Sequence, residues 1–311
     1  MKLVNKTHVE GYVYQHSLEL KVSGPNSAHP GTEFISGNLD VVTDDAGVNV
    51  VTVHFTYVTA VTGSGKPNAT FNTLKDIIDG KVGSVMGDGA ENAGKVTIDS
   101  AIGLNEFYTD RNGKEELVSA KRNEGGFVHV VPAINEDEKT RNTFETDIVI
   151  TTVTYIEADP DKDLPEKATV KGAIFDFRGA LLPVEFSVLN TNAISYFLGL
   201  DASPKNPVFT KVKGRQVSET IVKKITEESA FGDPSVREVK NTRKDYVITW
   251  AAKEPYAWDD ESTMTAQQLI DAMAAREIYL AGIKQRQDEY KASKNAAPSA
   301  FNATGGMTYN F

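Results

Sequence analysis

The chain has 311 residues, a formal net charge of −10 and no cysteine. The missing cysteines exclude disulfides, thiolate metal sites, Fe–S clusters and cysteine nucleophiles, and the charge excludes a uniformly basic coat while leaving room for a local basic groove. At about 100–200 residues per domain the length suits two domains. No apolar run approaches the roughly 20 residues of a membrane span, and no signal-peptide pattern opens the sequence, so a soluble cytoplasmic protein with no membrane partner is expected.

The first half reads as strands. Asn38–Thr43 alternates, Asp44-Asp45-Ala46-Gly47 supplies a turn, and Val48–Thr59 is rich in β-branched and aromatic residues, a hairpin pattern. After the loop Gly63–Asn68, Phe71, Leu74, Ile77 and Ile78 recur at helical spacing, with Gly80 placed to stop the helix. Lys95–Ile98 and Gly103–Tyr108 lead to an Asn112-Gly113 hairpin turn. Glu115–Lys121, Gly126–Val131 and Thr143–Ile156 complete the first set of strands.

Ala158–Glu166 is polar and carries two prolines, which marks a linker. Strands follow at Ala168–Phe177, Leu181–Val188, Pro207–Val217 and Tyr246–Trp250, with a short helix at Asn192–Leu198. The organisation expected is an N-terminal β-rich domain over 1–157, a linker over 158–167, a second β domain over 168–258, and a helix with a flexible tail over 259–311. Thr265-Ala266-Gln267-Gln268 fits a capping box. The helix it opens reaches about Tyr290, with Leu269, Ile270, Met273, Leu280 and Ile283 as its apolar stripe.

Several chemistries fail on spacing. Gly63-Ser64-Gly65-Lys66 does not meet the G-x-x-x-x-G-K spacing of a phosphate loop, and Pro67 stands where a magnesium-binding hydroxyl belongs. Asp159–Asp163 opens like a calcium loop, but Leu164 replaces the turn glycine and Val170 the bidentate glutamate. The five histidines have no metal-ligand spacing, and no serine sits in a nucleophile elbow. No catalytic residue, metal or cofactor is expected, and the chain does not read as an enzyme.

Two patterns stand out. Between Lys205 and Lys224 lie six cations, Lys205, Lys211, Lys213, Arg215, Lys223 and Lys224, against the single acid Glu219. Lys211, Lys213 and Arg215 alternate along a strand and so share one face, which suits a phosphodiester backbone. Aromatics also pair with cations: Phe55 with Tyr57 and Phe175 with Phe177 are candidate base-stacking pairs, with Lys66, Lys121 and Arg122 as candidate path-lining cations. The stretch Gly125–Val131, with Phe127 at its centre, has the look of a base-stacking strand.

Val170–Phe177 with Leu182–Val188 resembles the opening hairpin of an OB-fold, and Val208–Val217 resembles a later strand of that barrel. Together with Gly37–Thr43, Val53–Val58 and Gly125–His129, the chain resembles bacteriophage single-stranded-DNA-binding proteins. The resemblance implies two OB-like antiparallel β-barrels with a long C-terminal helix. It also implies non-catalytic binding of single-stranded nucleic acid, DNA before RNA, in phage replication or recombination, beside proteins of those processes. The terminal Phe311 matches the partner-docking aromatic of such proteins, but the acids usual before it are missing: the last acid is Glu289. The competing expectation is a β-rich phage structural or assembly protein acting by protein–protein contacts, with the long helix as its assembly element.

Overall fold

A computed structural model describes residues 3–159, 164–227, 235–258 and 264–296. Met307–Phe311 and most of the Asp159–Asp163 segment, both discussed above from sequence, lie outside these residues.

The first strands are β1 (Asn5–His16), β2 (Glu19–Val22), β3 (Glu33–Val42) and β4 (Val50–Thr59). Helix α1 (Ala69–Ile78) and the short α2 (Val85–Asp88) precede β5 (Lys95–Arg111) and β6 (Lys114–Val130). β1 pairs with β3, β3 with β4, β4 in parallel with β6, β6 with β5, and β5 with β1. That circuit closes a five-stranded barrel, which removes the exposed edges an open sheet would present.

The circuit then repeats. β7 (Asn142–Ile156), β8 (Lys167–Phe175) and β9 (Leu181–Val188) are followed by α3 (Thr191–Gly199), β10 (Val208–Glu227) and β11 (Ser235–Ala251). β7 pairs with β8, β8 with β9, β9 in parallel with β11, β11 with β10, and β10 with β7. In both circuits the helix falls between the third and fourth barrel strands, the parallel contact joins the third and fifth, and the topology is that of an OB-fold twice over. The mostly β class with a long C-terminal helix, expected from sequence, is what the chain adopts.

Each barrel is filled by the inward residues of its strands and plugged by its helix. Val9, Ile35, Leu39, Val53, Phe55, Val96, Ile98 and Val128 fill the first, and Phe71, Leu74 and Ile77 of α1 pack against them. Asn68 caps α1 by accepting from the Thr70 N–H at 3.1 Å. Phe144, Ile148, Val170, Phe186, Val212, Tyr246 and Ile248 fill the second, with Ile194 and Phe197 of α3. A third cluster on the outside of the second barrel, containing Phe175, Phe209 and Met264, receives the start of α4 (Ala266–Ala296).

Three readings need correction. β1 and β2 had no counterpart in the sequence reading, although Thr7, Val9, Gly11 and Val13 of β1 alternate inward. β11 begins at Ser235 rather than Tyr246, because β10 holds its charged first half in register from Ser235 to Lys244. The stripe on α4 is also different. Leu269, Ala272, Arg276, Leu280, Ile283 and Gln287 form the less exposed face, while Ile270 and Met273 are more than half exposed. The capping box is made in both directions: the Gln268 N–H donates to Thr265 Oγ1 at 3.2 Å and the Thr265 N–H to Gln268 Oε1 at 3.0 Å.

β7 pairs along one edge with β10 and along the other first with β1 and then with β8, so it is the seam where the barrels meet. The seam is reinforced by polar contacts. Asn123 Nδ2 donates to Gln216 Oε1 at 2.7 Å and the Ser218 N–H to Asn49 Oδ1 at 2.6 Å. Buried Arg141 fastens the connection before β7 through Nη1 to Asp45 Oδ1 at 2.6 Å. That guanidinium holds the Asp45 carboxyl below the usual carboxylate range. No helix among the described residues is long and apolar enough to cross a membrane.

Candidate nucleic-acid interface

Paired residues in an antiparallel ladder share a face, so strand register alone shows what a sheet presents. One row runs from Phe127 on β6 to Asp99 on β5, His8 on β1, Thr143 on β7 and Arg215 on β10. A second row runs from Lys6 on β1 to Glu145 on β7, Lys213 on β10 and Trp250 on β11. Both rows cross the seam and line one open groove of about 1300 Å³, joined by Ser100 and Lys139. At a strand spacing of roughly 4.8 Å, the six strands make a path about 24 Å wide.

The groove is charged against the average of the chain. Lys6, Lys139, Lys213 and Arg215 stand against Asp99 and Glu145. Among the described residues, the side chains of Lys6, Lys139 and Arg215 have no hydrogen-bond or ion-pair partner, and Arg215 Nε is buried without one. An unpaired guanidinium nitrogen out of water is costly and is satisfied by an arriving anion. His8 sits between carboxylates, with Nδ1 at 2.7 Å from Asp99 and Nε2 at 3.5 Å from Glu10.

Aromatic rings flank the groove. Phe127 is 69% exposed and Trp250 is 48% exposed. Lys213 Nζ lies 5.3 Å from the centre of the Trp250 ring, a cation–π contact beside the path. Both rings face outward because of a one-residue slip. On β11, Lys213 pairs with Trp250 but Gly214 with Ile248, so Thr249 is the extra residue and Trp250 leaves the inward parity of Tyr246 and Ile248. On β6, Ala101 pairs with Glu124 but Asp99 with Phe127, and the spare residue lies in Gly125-Gly126. Gly126 has φ +120°, and a Cβ there would lie 2.3 Å from the Asp99 carbonyl oxygen, so only glycine fits this bulge.

The expected site residues divide. Lys211, Lys213 and Arg215 do project from one face, but Lys213 and Arg215 line the groove while Lys211 lies beside it, 3.1 Å from Glu145 and 3.8 Å from Asp147. Phe55 and Phe175 cannot stack on bases, because both are fully buried: Phe55 points into the first barrel, and Phe175 lies on the outer face of the second, covered by α4. Tyr57 is partly exposed, with its hydroxyl 3.1 Å from Ser23 Oγ and its ring 4.5 Å from Phe34, away from the groove. Phe177, 90% exposed, stands at the β8–β9 turn with the Arg178 guanidinium over its ring.

Lys121 and Arg122 line a different cleft, of about 540 Å³, with His54, Asn123, Gln216, Lys244 and Tyr246. Arg122 is held bidentately by Glu124 at 2.9 and 3.1 Å. Lys121 donates to the Glu185 carbonyl and lies over the Phe186 and Tyr246 rings at 5.2 and 5.1 Å. Burial pushes its ammonium below the usual lysine range. Lys66 is exposed in the loop before α1, where its N–H donates to Thr62 Oγ1 at 3.2 Å. Lys223 and Lys224 continue β10 beyond the groove, and their side chains lie outside those described.

Sequence reasoning did not single out Lys6, His8, Lys139 or Trp250 as site residues. The two lysines and the histidine are spread over β1 and the loop before β7, which only the seam brings together. For Trp250 the misleading signal was parity itself, reversed by the bulge at Thr249.

No curated protein matches the chain. Two solved structures of the single-stranded DNA binding protein from Thermus aquaticus are similar to it. The wild-type form has a TM-score of 0.46 and 10% identity over 84% of this chain and 97% of that one. A deletion variant has a TM-score of 0.45 and 10% identity over 84% of this chain and 98% of that one. The YorF family model matches residues 3–296, nearly the whole described chain, and the protein therefore belongs to the YorF family.

Proposed function

We propose that the chain binds single-stranded nucleic acid without catalysis, DNA in the first instance, along the groove that crosses the seam of its two barrels. The single observation that carries this reading is the pairing of outward rings, Phe127 and Trp250, with the cations Lys6, Lys139 and Arg215, partnerless among the described residues, along one continuous groove. Stacking is tolerant of base identity because every base has a π-face, and cations follow the backbone whatever the sequence. Phe127 and Trp250 stack; Lys6, Lys139, Lys213 and Arg215 contact phosphates. Lys223 and Lys224 extend the path along the β10–β11 arm, in the place where OB-fold loops contact oligonucleotides. Lys66, Lys121, Arg122, Tyr57 and Phe177 lie away from this path and are secondary contacts at most. The two binding units divide between Val130 and Asn142, so that β7 belongs with the barrel it closes.

The setting that fits is phage replication or recombination, in keeping with the proteins the sequence resembles, and partners from those processes follow from it. The test is a fluorescence-anisotropy titration of labelled oligo-dT at several salt concentrations. Lys213→Glu with Arg215→Glu should weaken binding at least about tenfold at low salt and flatten the log–log salt slope by about 1.4, two phosphate contacts at roughly 0.7 each. Unchanged affinity and slope in a folded double variant would remove the groove from the binding path.

A further inference from the structure

We infer that Glu145 is a built-in stand-in for phosphate: its carboxylate occupies the place between Lys211 and Lys213 that a phosphodiester of the bound strand takes, so that binding exchanges one anion for another. This rests on the single-strand reading above and concerns how tightly, and with what salt dependence, that groove binds.

Glu145 sits within the second row, opposite Lys6 on one side and Lys213 on the other. Its Oε1 is 3.1 Å from Lys211 Nζ and its Oε2 is 3.2 Å from Lys213 Nζ, so each oxygen holds one ammonium. A phosphodiester offers the same charge on two unesterified oxygens, and the same two ammoniums suit it. Lys6, Lys139 and Arg215 are without side-chain partners among the described residues, so within the groove's row of cations it is Lys213 that is already neutralised.

The neighbouring carboxylate behaves differently. Asp147 is buried and anchored: its oxygens accept from the Val4 N–H at 2.7 Å and from the Tyr256 hydroxyl at 3.0 Å. Glu145 is 34% exposed, and among the described residues its side chain accepts from lysine ammoniums alone, with no backbone donor fixing it. A χ rotation therefore frees it without orphaning a buried group. Burial pushes its carboxyl up, but the two lysines outweigh burial and hold it below the usual range, so it is ionised at neutral pH and competes with phosphate there.

The experiment compares wild type, Glu145→Gln and Glu145→Asp by oligo-dT anisotropy across salt concentrations, with thermal unfolding run alongside. Glu145→Gln should bind about two- to fivefold tighter at low salt, the scale of a partly exposed ion pair. Its salt slope should steepen by about 0.7, because removing the one carboxylate charge leaves one further lysine charge uncompensated to displace counterions on binding. Glu145→Asp, which keeps the charge, should retain the wild-type slope. If wild type binds but Glu145→Gln binds equally or more weakly at an unchanged slope, Glu145 positions the lysines or lies off the path, and the inference fails. If wild type itself does not bind, the single-strand reading fails and takes this assignment with it.

Discussion

Two phenylalanines of this chain show how burial assigns a side chain its task. Phe175 is enclosed beneath α4 with Val149, Phe209 and Met264, and Phe127 stands in solvent at the rim of the groove. Truncating a buried phenylalanine forfeits transfer energy and leaves a cavity, whereas truncating an exposed one forfeits only what it binds. Phe175→Ala should therefore lower stability by about 3–5 kcal/mol in denaturant unfolding, with oligo-dT affinity of the folded protein unchanged. Phe127→Ala should leave stability within about 0.5 kcal/mol and cost binding about 1–3 kcal/mol. A loss of affinity confined to Phe175→Ala would reverse the assignment.

Among the elements, the barrel strands are the most legible from sequence, because alternation reports a half-buried sheet directly. Val48–Thr59 is read correctly as a strand, β4, and Asn112-Gly113 as a hairpin turn, with Asn112 at φ 56° and Gly113 at φ 75°. Alternation fails where the ladder slips. At Thr249 and at Gly125-Gly126 one extra residue reverses the parity of all that follows, so strict alternation groups Trp250 with inward Tyr246 and Ile248, and Phe127 stands out only through the base-stacking look of its stretch. Pattern is also silent on pairing between distant segments: nothing local to Lys6 or Lys139 announces that β1 will lie beside β7.

The same holds for α4, whose start and cap are plain in the sequence but whose anchor is electrostatic. Arg276 Nη2 meets Glu106 Oε1 at 2.5 Å, with the two side chains only 10% and 1% exposed, and Nη1 donates to the Leu181 carbonyl at 3.1 Å. One residue thus ties the helix to β5 of the first barrel and β9 of the second. Breaking a buried pair strands the partner's charge, which costs about 3–5 kcal/mol. Arg276→Met should lower stability by that amount in denaturant unfolding. Adding Glu106→Gln should recover part of it, since the stranded group is then neutral. Equal stability of Arg276→Met and wild type would show that the helix docks through its apolar contacts alone.

At the scale of the molecule, one chain of −10 formal charge carries a groove where four cations face two carboxylates. On the proposed reading, the acidic remainder repels polyanions from other surfaces and so confines binding to that groove. The groove exists only where β1 meets β7, so neither barrel holds it alone: Phe127, Lys6 and His8 come from one, and Lys213, Arg215 and Trp250 from the other. The polar contacts between Asn123 and Gln216 and between Asn49 and Ser218 fix the two halves before any strand arrives, which spares binding the cost of ordering them.

The central claim, that bases stack in this groove, has a natural reporter. The chain has two tryptophans, of which Trp250 lines the groove and Trp258 packs against Phe209 with its Nε1 donating to the Pro207 carbonyl at 3.2 Å. Titrating oligo-dT into wild type and into Trp250→Phe while following intrinsic fluorescence tests stacking directly. Wild type should show saturable quenching, and Trp250→Phe should lose that quenching while still binding by anisotropy. Quenching that is absent from wild type during binding, or that persists undiminished in Trp250→Phe, would contradict the account.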